Sequence, residues 1–131
     1  MQFLLDTNMV IALFNGSDAV LRNHLKTYQP RDIAVSSLVM HELYFGAYKS
    51  QRLQHNLDKV DKLPFEVLPF DKEDARQAGE VRAILTKAGT PIGAYDVLIA
   101  GQALARGLTL VTHNTKEFER ISTLKLEDWL I

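Results

Sequence analysis

The sequence predicts an α/β domain with a short parallel central sheet covered by helices on both faces. Three observations predict it. The strand candidates are continuous apolar runs rather than alternating ones, as strands buried on both faces require. Helical patterns separate them. No repeat, linker or shift in composition interrupts the 131 residues, a length that suits one domain over 1–131.

Each element has its own signal. Residues 2–5 (QFLL) form the first strand, and 7–15 a helix that ends at Asn15-Gly16. Residues 18–27 form a second helix, stopped before Pro30. Residues 33–36 (IAVS) are the second strand. Ser36-Ser37 then caps a strong helix from about 37 to 49. A helix over roughly 51–62 ends at Pro64, and 65–69 (FEVLP) make the third strand. Asp71 with Asp74 is a start signal for a helix over 72–88, ended by Gly89. A Gly/Pro loop covers 89–94. The helix over 95–105 stops at Gly107, before the fourth strand, 108–112 (LTLVT). A short helix around 115–120 and an extended piece at 124–126 close the chain.

Composition excludes several classes. There is no cysteine, so no disulfide framework, thiolate catalysis or sulfur-ligated metal. Fifteen Lys+Arg against 16 Asp+Glu leave a net charge of −1, too little to coat nucleic acid by charge alone. A nucleic-acid enzyme stays open, because a bound cation supplies local positive charge. The apolar start lacks a preceding basic region, and no apolar run reaches membrane-spanning length. A reducing, cytoplasmic setting without a membrane is expected. Neither a nucleophile elbow nor a P-loop is present.

Ligand sites of open parallel sheets lie at the carboxyl ends of the strands. Asp6, Thr7 and Asn8 follow the first strand there, and Thr112, His113 and Asn114 follow the fourth. Taken alone, Asp6 also reads as a helix cap. Glu42 falls among Leu38, Val39, Phe45 and Gly46 on its helix, either within the apolar stripe or at its wet edge. Asp96 opens a helix that is apolar almost all round, either as a start-of-helix acid or as a functional one. If the three acids converge, they cannot all stay ionised without a cation. Oxygen ligands favour a hard ion, Mg²⁺ or Mn²⁺, and such an ion suits phosphodiester hydrolysis.

Four segments, FLLDTNMVIALF at 3–14, SSLVMHELYFGA at 36–47, PIGAYDVLIAGQALARG at 91–107 and LTLVTHNTKEFERI at 108–121, together resemble the PIN-domain ribonucleases. Among these the chain is most similar to the VapC toxins of VapBC toxin–antitoxin pairs, as far as LEDWL at 126–130. The resemblance implies a three-layer α/β/α PIN-like fold and a Mg²⁺- or Mn²⁺-dependent endoribonuclease that cuts structured RNA, often tRNA. It also implies a homodimer, neutralised by a cognate VapB-like antitoxin in a hetero-oligomer. It places the family's acids on Asp6, Glu42 and Asp96 as metal ligands. The polar positions after the last central strand fall on Thr112 and Asn114. Asn114 stands where many PIN domains carry a fourth acid, which leaves one ion or two open; Glu117 or Glu119 is a substitute. Thr7, Asn8, Thr112 and Glu117 are expected to support the ligands. The loop at Gly93 is expected to let the RNA backbone come close.

Lys49 and Lys116 follow the site-bearing segments and are the first candidates for RNA phosphates, ahead of Arg52, Lys87, Arg106 and Arg120. Tyr95 offers a ring to a base, whereas the helical spacing of Tyr44 and Tyr48 favours core or dimer packing. Trp129 is expected to anchor the tail. Two other readings remain open. A Mg²⁺-dependent phosphatase of haloacid-dehalogenase type also begins with an apolar strand ending in Asp, but it needs a second Asp where Asn8 stands. A weak catalyst serving as a partner-binding scaffold would explain Asn114.

Overall fold

The computed structural model describes residues 1–16 and 18–131. Its elements in order are β1 (Phe3–Leu5), α1 (Thr7–Asn15), α2 (Ala19–Thr27), a 3₁₀ turn (Pro30–Asp32), β2 (Ile33–Ser36), α3 (Ser37–Tyr48), α4 (Leu53–Asp61) and β3 (Glu66–Leu68). They continue with α5 (Lys72–Lys87), α6 (Ala94–Arg106), β4 (Thr109–Val111), α7 (Thr115–Phe118) and β5 (Leu126–Glu127). The expected elements are all there, with ends differing by one to two residues in most cases. The 3₁₀ turn is additional, and the last extended piece is a true fifth strand.

The five strands form one sheet in the order β3-β2-β1-β4-β5, parallel at each pairing. β1 sits at the centre, with Leu4 opposite Ala34 on one side and Leu110 on the other. Parallel crossovers are right-handed. The chain therefore lays α1–α4 on one face as it runs outward to β3. It lays α5 and α6 on the opposite face when it returns to β4. This reversal beside β1 opens a crevice between the carboxyl ends of β1 and β4.

Local chemistry sets each boundary. The Asp18 carboxylate accepts from Leu21 N at 2.9 Å and starts α2. Ser36 Oγ accepts from Leu38 N and starts α3. Asp71 and Asp74 form a reciprocal capping box at α5. Gly16 and Gly107 end α1 and α6 at φ 67° and 65°, where a side chain would be strained.

The core is continuous through the sheet. Leu4, Leu5, Val35, Leu110 and Val111 are fully buried. α5 and α6 cross so closely that a Cβ on Gly101 would lie 2.5 Å from backbone atoms of Ala78. Beneath that crossing, Asp74 is 1% exposed. Burial alone would raise its carboxyl, but Arg106, the Asp71 backbone and Gln102 hold it below the ordinary value. Arg106 is therefore committed to Asp74 and the Pro69 carbonyl, not to phosphate. Trp129 is buried against Phe3 and Tyr28 and seats the tail as expected. Of the two tyrosines on α3, Tyr44 packs against the core with its hydroxyl on Asp61, whereas Tyr48 is 66% exposed and lies outside the core. Among the described residues no helix is long and apolar enough to cross a membrane.

Candidate active site

The crevice collects side chains from five places in the sequence. β1 delivers Asp6 at its carboxyl end, where Asp6 N donates to the Val111 carbonyl at 3.1 Å. Asp6 caps α1 as well: its Oδ1 accepts from Met9 N at 2.9 Å. The two readings of Asp6 are compatible, because the cap uses one oxygen. The side chain is 7% exposed. Burial raises its pKa above the ordinary carboxylate value, against the Thr112 hydroxyl and the Met9 amide, with the charges of Glu42 and Asp128 adding to the rise.

Glu42 stands on α3 at the edge of the buried line Val39, Leu43 and Ala47. Phe45, expected beside it in the apolar stripe, is instead 62% exposed, so the stripe is narrower and Glu42 borders solvent. Its Oε1 accepts from the Thr7 hydroxyl at 3.1 Å, which ties α3 to the start of α1. A groove of about 290 Å³ between α1, α3 and α4 opens next to Glu42, lined by Ile11, Phe14, Gly46 and Lys59 among others.

Asp96 lies in the first turn of α6, whose cap is Gly93. Its carboxyl is pushed up to about 6 by burial, by a hydrogen bond with Glu117 and by the charges of Glu117, Asp6 and Glu42. A helix N-terminus favours the charged carboxylate; burial, with the surrounding acids adding to it, outweighs that preference here. Gly93 serves this carboxylate directly. A Cβ there would stand 3.2 Å from Asp96 Oδ2. Its φ of −55° needs no glycine, so the missing side chain, not backbone freedom, is what the site uses.

The fourth strand adds the remaining parts. Thr112 is fully buried and its Oγ1 accepts from Asn114 N at 3.0 Å. Asn114 Nδ2 donates to Glu117 Oε2 at 2.7 Å. Asn114 thus holds the Glu117 carboxylate toward Asp96. Asn8 is exposed at the rim. Lys116 is exposed beside Glu117, and Lys49 lies at the far end of α3 with Nζ 4.8 Å from the Phe45 ring centroid.

The residues did not announce Asp128 or the pairing of His41 with Tyr95, although Tyr95 itself was expected to offer a ring to a base. Asp128, after β5, carries charge felt at Asp6 and accepts from His113 Nδ1 at 2.9 Å. The rule of strand carboxyl ends finds it once β5 is counted as a strand. His41 and Tyr95, neighbours in sequence of Glu42 and Asp96, face each other across the rim.

Asp6, Glu42, Asp96 and the hydroxyls around them offer oxygen donors. That chemistry fits a hard divalent cation. Asp6, Glu42 and Asp96 sense one another's charge, yet among the described residues no three acidic or histidine side chains stand close enough to share an ion directly.

Fold and site define a small α/β/α domain with an acidic crevice at the switch point of a parallel sheet. That class has a name: the PIN domain family matches residues 3–124, and the chain belongs to it. Within the family it groups with VapC proteins. It is 39% identical over 131 residues to the tRNA(fMet)-specific endonuclease VapC of Shigella flexneri, with 98% of each chain covered. It is 38% identical to ribonuclease VapC2 of Rickettsia felis, again with 98% of each covered. Among solved structures, a chain of DNA-bound VapBC from Salmonella typhimurium superposes with a TM-score of 0.93 at 40% identity, covering 98% of both.

Proposed function

We propose that this chain is the endoribonuclease toxin of a VapBC-type pair, that it works with Mg²⁺ or Mn²⁺, and that tRNA is its substrate. The observation that carries the reading is the acid cluster. Asp6, Glu42 and Asp96 stand on three separate elements at one crevice, where burial, Glu117 and the charges of Asp6 and Glu42 together lift Asp96 to about 6. A fold does not keep such a cluster for its own stability. Two findings support the rest: whole-length identity to a tRNA-specific VapC, and likeness to structures that contain VapBC.

Asp6, Glu42 and Asp96 would hold the cation, in part through water, as Mg²⁺ prefers with few carboxylates. The bound ion supplies charge neutralisation at the scissile phosphate and makes an attacking water more acidic. The chain's own groups do the positioning. Thr7 fixes Glu42, and Thr112 faces Asp6 while anchoring the Asn114 turn. Asn114 aims Glu117 at Asp96, and Asn8 lines the rim. Asn114 brings no negative charge of its own, so one well-held ion is the simpler arrangement. Lys49, at the far end of α3, and Lys116, beside Glu117, offer contacts to RNA phosphates. The antitoxin is a VapB-like protein. The active chain is a cytoplasmic homodimer that forms a hetero-oligomer with it.

The test is incubation of the purified chain with bulk tRNA. Discrete fragments in Mg²⁺ or Mn²⁺, lost with EDTA, are expected. Intact tRNA alongside hydrolysis of p-nitrophenyl phosphate would favour the phosphatase reading instead.

A further inference from the structure

Two exposed rings flank the acid cluster. Tyr95 immediately precedes Asp96 on α6, and His41 immediately precedes Glu42 on α3. Their centroids are 6.1 Å apart and their planes 27° from parallel. Tyr95 is 43% exposed, and its hydroxyl meets His41 Nδ1 at 3.4 Å. Neither ring belongs to the core, so packing does not account for the pair. Each ring is attached to an element that also supplies a proposed ligand, which sets its distance from the reacting phosphate.

We propose that Tyr95 with His41 is a stacking platform for an unpaired RNA base adjoining the scissile phosphate. The proposal rests on the ribonuclease reading above and extends it to how the cut is placed. Aromatic faces stack on any base, but only when the base is not already stacked inside a duplex. A platform beside the crevice therefore admits loops and excludes stems. It selects the place of cutting by geometry rather than by base identity. The carboxylates cannot make that selection themselves, since they act on a phosphate that every nucleotide carries.

The test compares the wild-type chain with Tyr95→Ala, Tyr95→Phe and His41→Ala on bulk tRNA in Mg²⁺. Tyr95→Ala is expected to raise KM about tenfold, the scale of one lost base stack, with kcat changed far less. Tyr95→Phe keeps the ring and restores KM. In an Asp6→Asn background, a short hairpin RNA carrying 2-aminopurine in its loop should lose fluorescence on binding, and Tyr95→Ala should abolish that loss. If the wild type cuts tRNA and Tyr95→Ala leaves KM and the fragment pattern unchanged, the platform is overturned while the ribonuclease reading stands. If Tyr95→Ala instead lowers the mass seen in sedimentation, the rings hold a second copy of the chain and the proposal fails. If the wild type cuts no RNA, the ribonuclease reading fails first and takes the platform with it.

Discussion

Gly93 leaves the space that Asp96 needs: a methyl group on Gly93 would stand 3.2 Å from Asp96 Oδ2. The backbone there suits alanine, so Gly93→Ala should fold with nearly unchanged thermal stability while its carboxylate is displaced. Cleavage should fall roughly tenfold to a hundredfold, the range that small misplacements of a reacting group produce. Melting and turnover measured on the same preparation check this; equal loss of both would assign Gly93 to stability.

Asp96 also makes the metal-free fold sensitive to pH. Its carboxyl rises from 3.8 to about 6 on folding. Between those values the folded chain holds a proton that the unfolded chain has released. In EDTA, stability contributed by this group is therefore fully present below about pH 4 and lost as pH rises past 6. Asp96→Asn should remove that part of the slope. Urea unfolding at several pH values, with and without Asp96→Asn, measures it. Added Mg²⁺ should restore stability above pH 6 by satisfying the ionised carboxylate.

The link from Asn114 to Glu117 carries its own prediction. Asn114→Ala removes the 2.7 Å donor to Glu117 and the aim of that carboxylate toward Asp96. Cleavage should drop on the order of tenfold, as the loss of an outer partner that supports a metal ligand typically costs. Asn114→Asp should bind Mg²⁺ more tightly than wild type, because it adds a charge where the donor was. Isothermal titration compares the two; weaker binding by Asn114→Asp would exclude that role.

The crossing of α5 and α6 gives a prediction on stability alone. Gly101→Ala puts a methyl group 2.5 Å from the Ala78 backbone. The helices must separate, at a cost of about 2–3 kcal/mol. A fall in the urea midpoint with an unchanged slope is the expected result. A midpoint equal to the wild type's would mean that the crossing tolerates the added carbon.

Much of this was legible in the residues. Continuous apolar runs such as QFLL and LTLV announce buried parallel strands, and Asp71 with Asp74 announces a capped helix. The end-of-strand rule found Asp6 and Thr112. Other parts were not legible for physical reasons. The 3₁₀ turn at Pro30–Asp32 is too short to show a period. β5 is two residues long, so Asp128 did not stand out as the end of a strand. Phe45 looks like core on a helical wheel, because hydrophobicity does not say which side of a helix meets the sheet. Convergence of Asp6, Glu42 and Asp96 depends on strand order, which no local signal encodes. The size of the gap at Gly93 belongs to three dimensions only.

Cleavage of bulk tRNA by Asp96→Asn in Mg²⁺ tests the central claim most directly. The substitution is close to isosteric and removes the charge, so the protein should stay folded by circular dichroism. It should produce no fragments above the EDTA background, whereas the wild type cuts. Folded Asp96→Asn that cuts at the wild-type rate would contradict the claim that this acid cluster is the active site.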